Sequence, residues 1–272
     1  KPKETILLKN VRSFRDEENL TSNNYKKLCK LFDIYINEAF SVSHRAQGSI
    51  VLPPKYLESY FGLEFKKEMK ALDKLKSSKA GSKVFILGGS KIEDYFPIFK
   101  FLKNKKNKVL AAGILANLFL IAQGYNLGYE NKWLKEHGHF PLLSKLKKIY
   151  NLYKEQIILP VDFALMGKKG ERLEASLEDA PFKYKIYDVG NKSIELFKED
   201  LNKTDYIFMK GPLGFSEIKN FSKGTKEILR YISNLTKKKN IFSILGGGHL
   251  TATIKQYKIP HNFSYISLSG GA

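Results

Sequence analysis

The sequence predicts an α/β fold in which a parallel sheet is covered by helices on both faces. Three observations carry that prediction. From Lys83 onward, short β-rich runs alternate with helical patterns. The first of those strands is continuously apolar, as a strand buried on both faces must be. Almost every strand is closed at once by glycine. Strands separated by helices need crossover connections, and crossovers build parallel sheets. The 272 residues leave room for one large domain or two modest ones, at roughly 150 residues per domain.

Taken in order, Thr5-Ile6-Leu7-Leu8 is expected to be a strand. Ser22 to Phe32 is expected to be a helix with Tyr25, Leu28, Cys29 and Phe32 on one face, followed by the strand Ile34-Tyr35-Ile36. Cys29 reads there as a small buried hydrophobe. Phe65 to Lys76 is helical in spacing, with Met69, Leu72 and Leu75 aligned. The linker Ser77-Ser78-Lys79-Ala80-Gly81-Ser82 places a domain boundary near residue 80. Val84-Phe85-Ile86-Leu87 is a strand closed by Gly88-Gly89. Ser90 and Glu93 have capping-box spacing and predict a helix, with an irregularity at Pro97. Lys108 to Ala112 is the next strand, and Gly124 ends the helix Ile114 to Gln123. Strands follow at Ile157 to Leu165, Tyr206 to Met209, Ile241 to Leu245 and Phe263 to Leu268. Helices are expected at Lys192 to Glu199, Ser222 to Leu235 and Leu250 to Tyr257.

Composition excludes several classes. A hydrophobic content of 43% is too high for wholesale disorder. No run reaches the ~18 apolar residues of a membrane span, and the longest, Ile114 to Ala122, is broken by Asn117. No signal peptide is expected at Lys1-Pro2-Lys3-Glu4-Thr5, and the missing initiator methionine fits a fragment. His44, His137, His139 and His261 show no metal-ligand spacing and there is a single cysteine, so no zinc site is expected and a reducing compartment is. The net charge of +20 suggests nucleic acid at first sight. Only five of the 47 basic residues are arginine, however, and the lysines cluster between apolar runs as solvated loops and helix ends. No nucleic-acid module is present, so no nucleic-acid partner is expected.

The chemistry lies at the strand ends. Gly88-Gly89, Gly113, Gly211-Pro212, Gly246-Gly247-Gly248 and Gly270-Gly271 each follow an apolar strand and so fall on the carboxyl edge of a parallel sheet, where ligands bind. Glycine lets backbone N–H groups approach a ligand, and a helix start favours an anion. A phosphate-bearing ligand is expected, although neither a Walker loop nor a G-x-G-x-x-G fingerprint is present. Lys91 would start the following helix, where a cation opposes the helix dipole unless an anion sits beside it. Glu217 suits either a surface carboxylate or an acceptor for a sugar hydroxyl. His249 could cap a helix, touch a phosphate or coordinate an ion.

These residues together resemble the phosphoglycerate kinase family. Leu87-Gly88-Gly89-Ser90-Lys91-Ile92-Glu93-Asp94 is similar to its strand–GGxK–helix element, and Gly211-Pro212-Leu213-Gly214 with Glu217 to its G-P-M-G-x-x-E segment. Gly246-Gly247-Gly248-His249 resembles its triple-glycine nucleotide loop, in the histidine form of archaeal members. Leu8-Lys9-Asn10-Val11-Arg12, Asn37-Glu38-Ala39-Phe40, His44-Arg45-Ala46, Asp188-Val189-Gly190 and Ile266 to Ala272 fit in the expected order. The resemblance implies two doubly wound, Rossmann-like domains joined by a hinge helix. Residues 1–62 would be part of the phosphoglycerate-binding domain, 63–82 the hinge helix and linker, and 83–272 the nucleotide-binding domain. It implies reversible phosphoryl transfer from 1,3-bisphosphoglycerate to ADP, giving 3-phosphoglycerate and ATP, with Mg2+ carried by the nucleotide. Arg12 and Arg45 would bind the substrate, with Arg12 also facing the transferring group. Lys91 would contact nucleotide phosphates, Glu217 the ribose and Gly113 the adenine. Gly246, Gly247 and Gly248 would direct N–H donors at the migrating group, with Gly88, Gly89, Pro212 and His249 completing the nucleotide site. A cytoplasmic monomer is implied, a dimer being the alternative, with no membrane partner.

The sequence also departs from the family pattern. It lacks roughly the first hundred residues and a terminal segment. Tyr95 stands where many members have a second lysine, Lys210 where the family has asparagine, and Leu268-Ser269 where it has Thr-Gly. Lys210, Leu268 and Ser269 support a second reading, a non-catalytic relative that binds nucleotide or a protein partner.

Overall fold

The computed structural model describes residues 4–77, 81–239 and 241–267. Two compact units divide between Lys74 and Leu75.

In the smaller unit the Ser22 hydroxyl accepts from the Asn24 N–H and opens helix α1, Asn23–Cys29. Tyr25 and Cys29 are buried, while Leu28 and Phe32 are exposed, so only half of the expected face is covered. Strand β1, Ile34–Asn37, is followed by the short helix α2, Gly48–Val51, and by β2, Glu58–Phe61, which pairs parallel to β1. Helix α3, Leu63–Ser77, begins on the Glu38 carboxylate, which accepts N–H groups of Glu64 at 3.1 Å and Phe65 at 2.9 Å. Those donors hold the Glu38 carboxyl below the usual carboxylate range. Of the expected face Met69, Leu72 and Leu75, the helix buries Leu75 alone, together with Phe65, Glu68 and Ala71. Thr5 to Leu8 lie outside any described sheet, with Ile6, Leu7 and Leu8 exposed. Apolar content alone makes no strand where no neighbour supplies a ladder.

The larger unit opens with β3, Lys83–Leu87, buried along its whole length as its apolar run requires. The expected capping-box helix after it does not form. Ile92–Tyr95 and Ile98–Lys103 are 3₁₀ segments instead, and Pro97 lies between them. Proline supplies no N–H and its ring crowds the carbonyl four residues back, so Pro97 interrupts an α-helical ladder in this stretch. Strand β4, Lys108–Ala111, leads into α4, Gly113–Ala122, which is buried almost all round. Helices α5, Tyr129–Glu136, and α6, Leu143–Tyr153, escaped the sequence reading.

The single strand expected at Ile157 to Leu165 is two strands in different sheets. Strand β5, Ile157–Ile158, ends just before Pro160, and β6, Asp162–Met166, pairs antiparallel with β7, Arg172–Ser176, and β8, Ile186–Val189. Helix α7, Asn191–Leu201, is capped from β6, because the Asp162 carboxylate accepts N–H groups of Lys192 at 2.9 Å and Ser193 at 2.8 Å. The chain continues through β9, Tyr206–Lys210, α8, Lys223–Lys239, β10, Phe242–Gly246, α9, Gly248–Gln256, and β11, Tyr265–Ser267.

The main sheet runs β11-β10-β9-β3-β4-β5, and all its described pairings are parallel. Val84, Ile86, Leu110, Ile207 and Leu245 pack with Phe197, Ile228 and Leu250 in one core. Phe85 on the other face meets Phe101 at a ring separation of 5.2 Å. A second cluster joins Leu120 to Phe163, Leu165, Phe182 and Ile186 and so attaches the antiparallel sheet. The chain leaves β3 toward β4 and β5 and later returns to fill β9, β10 and β11 on the other side. The strand order therefore reverses between β3 and β9. No described helix is long and apolar enough to cross a membrane.

Candidate functional site

A cleft of about 310 Å³ opens at the carboxyl edge of the main sheet, over that reversal. Gly88, Gly89, Lys91, Gly113, Pro212, Glu217, Gly246, Gly247, Gly248 and His249 all line it. The structure thus brings together every residue assigned to the nucleotide from sequence. The Gly270-Gly271 turn and the Leu268-Ser269 departure lie outside the described residues.

The turns after β3 and β9 touch through backbone. The Gly88 N–H donates to the Lys210 carbonyl at 2.9 Å, and a Cβ added at Gly88 would sit 2.1 Å from the Pro212 carbonyl oxygen. Gly211 has φ +78, and a Cβ there would lie 2.2 Å from the Gly88 carbonyl oxygen. Only glycine permits this approach. The buried Tyr95 hydroxyl donates to the Gly88 carbonyl and fixes the turn from below, and burial pushes its phenol up. After the neighbouring strand β10, α9 begins at Gly248, within the glycine loop, and no side chain caps it. α4 likewise starts at Gly113 without a side-chain cap. Uncapped helix starts leave backbone N–H groups to an anion.

Lys91 and His249 are exposed on the rim, as is Glu217. The dipole argument for Lys91 does not survive, since the segment it precedes is a four-residue 3₁₀ turn rather than a helix. What remains is its position beside the glycine turns. Arg12 and Arg45 belong to the smaller unit, where both are exposed. Arg12 sits in a 3₁₀ turn that Asn10 caps, with Oδ1 accepting from the Arg12 N–H at 3.1 Å.

Sequence reasoning missed the opposite wall. Phe163, Ile186, Tyr187 and Val189 come from the antiparallel sheet, and Asn117, Glu130 and Trp133 from α4 and α5. One signal for it was present: Asn117 interrupts an otherwise apolar helix. Its amide donates to buried Glu130 at 3.0 Å. Burial pushes the Glu130 carboxyl up, against the Ile186 N–H and the nearby Lys185 charge. The Lys185 ammonium stands 3.4 Å from the centre of the Trp133 ring, and burial lowers its pKa. The cleft thus offers an apolar, aromatic wall on one side and backbone N–H groups on the other. That division suits a ligand with a flat base and a phosphate chain.

The profile of the phosphoglycerate kinase family matches residues 1–272. The phosphoglycerate kinase of Archaeoglobus fulgidus is 35% identical over 279 residues, covering 99% of this chain and 67% of that protein. That of Wigglesworthia glossinidia brevipalpis is 37% identical over 276 residues, covering 100% and 67%. Among solved structures, phosphoglycerate kinase from Pyrococcus horikoshii OT3 is similar with a TM-score of 0.88 at 32% identity, over 96% of this chain and 67% of that one. The Coxiella burnetii phosphoglycerate kinase gives 0.79 at 26% identity, over the same shares. Nothing among these relatives favours a non-catalytic reading of the sequence. The chain, which spans about two thirds of the length of these relatives, belongs to the phosphoglycerate kinase family.

Proposed function

We propose that the cleft of the larger unit is the nucleotide half of a phosphoglycerate kinase. The reaction follows from the family: reversible phosphoryl transfer between 1,3-bisphosphoglycerate and ADP, giving 3-phosphoglycerate and ATP, a step of glycolysis. The observation that carries the site assignment is the convergence of Gly88, Gly113, Gly211 and Gly246 on one edge, over the reversal of strand order.

In the forward direction a β-phosphate oxygen of ADP attacks the phosphorus of the acyl phosphate, and the carboxylate of 3-phosphoglycerate leaves. The chain supplies positioning and charge stabilisation rather than covalent chemistry. Gly246, Gly247 and Gly248 direct N–H donors at the transferring group. Lys91 holds nucleotide phosphates, Glu217 accepts from the ribose hydroxyls, and the base lies between Gly113 and the aromatic wall. Gly88, Gly89 and Pro212 keep the floor of the cleft close to the ligand, with His249 at its rim. In residues 1–62, Arg12 and Arg45 take the phosphoglycerate, and Arg12 also faces the migrating group. The segment 63–82, which contains α3, serves as the hinge to the nucleotide-binding residues 83–272.

Magnesium fits this site as part of the nucleotide. Among the described residues no group of three or more His, Cys, Asp or Glu could hold a metal. A magnesium ion commonly keeps its waters and is bound through substrate phosphates and one or two carboxylates, so no protein cage is required. When bound, it neutralises charge on the phosphate oxygens, and no residue of this chain is assigned to it. The ligands are small anions rather than nucleic acid, and the enzyme works as a cytoplasmic monomer. Its buried free cysteine, Cys29, suits a reducing compartment.

A coupled assay with ADP and 1,3-bisphosphoglycerate tests the reading. ATP formation together with saturable ADP binding by calorimetry is expected. Absence of both would overturn it.

A further inference from the structure

Lys210, to which the reading above gives no role, lines the cleft. It is the last residue of β9 and stands in register with Leu87 of β3 on one side and Gly246 of β10 on the other. It therefore sits where the strand order reverses, between the Gly88-Gly89 turn and the triple-glycine loop. Its side chain is only 13% exposed and lines the cleft. The ammonium lies 3.1 Å from Asp94 Oδ2 and 5.5 Å from the centre of the Tyr95 ring.

An ammonium carries three donors, and among the described residues its hydrogen-bond acceptor is Asp94 alone. Asp94 is itself one-third exposed, so the pair is a weak and replaceable one. A lysine kept so nearly buried, with most of its donors unengaged, is electrostatically ready for an anion. The ring of Tyr95 shapes its resting place, and the Tyr95 hydroxyl is already committed to the Gly88 carbonyl.

We propose that Lys210 is a phosphate-contacting residue of the nucleotide site, held on Asp94 until a nucleotide phosphate oxygen replaces that carboxylate. The inference rests on the nucleotide reading of the cleft. It makes Lys210 a second cation beside Lys91, reaching the phosphates from the floor rather than the rim.

Calorimetric titration with ADP and with adenosine tests it. Lys210→Met should weaken ADP binding tenfold or more, as expected for loss of a charge-assisted hydrogen bond. Adenosine, which has no phosphate, should bind as before, and Lys210→Arg should recover most of the ADP affinity. Asp94→Asn should tighten ADP binding two- to fivefold, because the competing carboxylate is gone. A purely structural ion pair predicts no such opposite signs. Unchanged ADP binding in Lys210→Met, or equal losses for ADP and adenosine, would overturn the assignment. If Lys210→Met fails to fold, Asp94→Asn decides alone, and unchanged or weaker ADP binding in it overturns the assignment. Failure of the parent chain to bind either ligand would instead overturn the nucleotide reading of the cleft.

Discussion

Replacing Arg172 with methionine should destabilise the larger unit by about 3–5 kcal/mol at pH 7 and by much less at pH 5. Arg172 on β7 ties three segments together. Its guanidinium donates to Asp188 Oδ2 at 2.9 Å and Glu174 Oε1 at 2.7 Å, and to the carbonyls of Val189 at 3.0 Å and Asn220 at 3.1 Å. The Asp188 side chain is wholly buried and also accepts the N–H groups of Gly224 and Val189, both at 2.9 Å. Burial still dominates, and the carboxyl is pushed up to about 6 from 3.8. A carboxyl raised in this way contributes its full stability below 3.8 and loses it as the pH rises through about 6. That interval is worth about 3 kcal/mol. At pH 7 the buried carboxylate is charged and depends on the guanidinium, whereas at pH 5 it is mostly protonated and needs it far less. Removing Arg172 raises the folded-state value further, so the loss should grow with pH. Trp133 is the single tryptophan and belongs to the larger unit, so its fluorescence in urea titrations reports this unit. A loss below about 1 kcal/mol at pH 7, or equal losses at the two pH values, would refute the reasoning. The network also bears on the cleft, because the Phe215 N–H donates to the Tyr187 carbonyl at 2.8 Å beside Asp188.

Three substitutions probe the cleft itself. Gly88→Ala forces a methyl group against the Pro212 carbonyl at 2.1 Å, so a stability loss of about 1–3 kcal/mol and weaker ADP binding are expected in urea and calorimetric titrations. Gly248→Ala meets no atom within 4 Å, so stability should stay within about 0.5 kcal/mol of the parent. With Gly248 directing an N–H at the transferring group, as proposed, its turnover in the coupled assay should nevertheless fall. Lys91→Ala, at an exposed position, should leave the urea midpoint unchanged and weaken ADP binding by about tenfold. Unaltered affinity would remove Lys91 from the phosphate site.

Much of the main sheet and of the cleft at its edge was legible because the signals are local. β3, β4, β9 and β10 are apolar runs closed by glycine, and both the run and the closing residue are visible within about ten residues of chain. The antiparallel sheet was not legible. Ile157 to Leu165 looks like one buried strand, while Pro160 withholds an N–H and lets the chain pass from one sheet to another. The 3₁₀ segments after Ser90 were hidden behind a correct capping-box spacing, since spacing records residue types and not whether an α-helical ladder can run through Pro97. Asn117 was visible as an interruption, but its partner Glu130 belongs to a helix the pattern did not reveal.

By itself the sequence determined which strands end in glycine, and the order of these motifs along the chain identified the family. Only the tertiary structure decided that Gly88 lies against Gly211 and that Lys210 stands between two glycine turns with its ammonium on Asp94. A strand's burial and its closing turn depend on neighbouring residues, but its choice of partner strand depends on pairing between segments far apart in the chain. That choice carries no local signature, and it is what turns four glycine turns into one site.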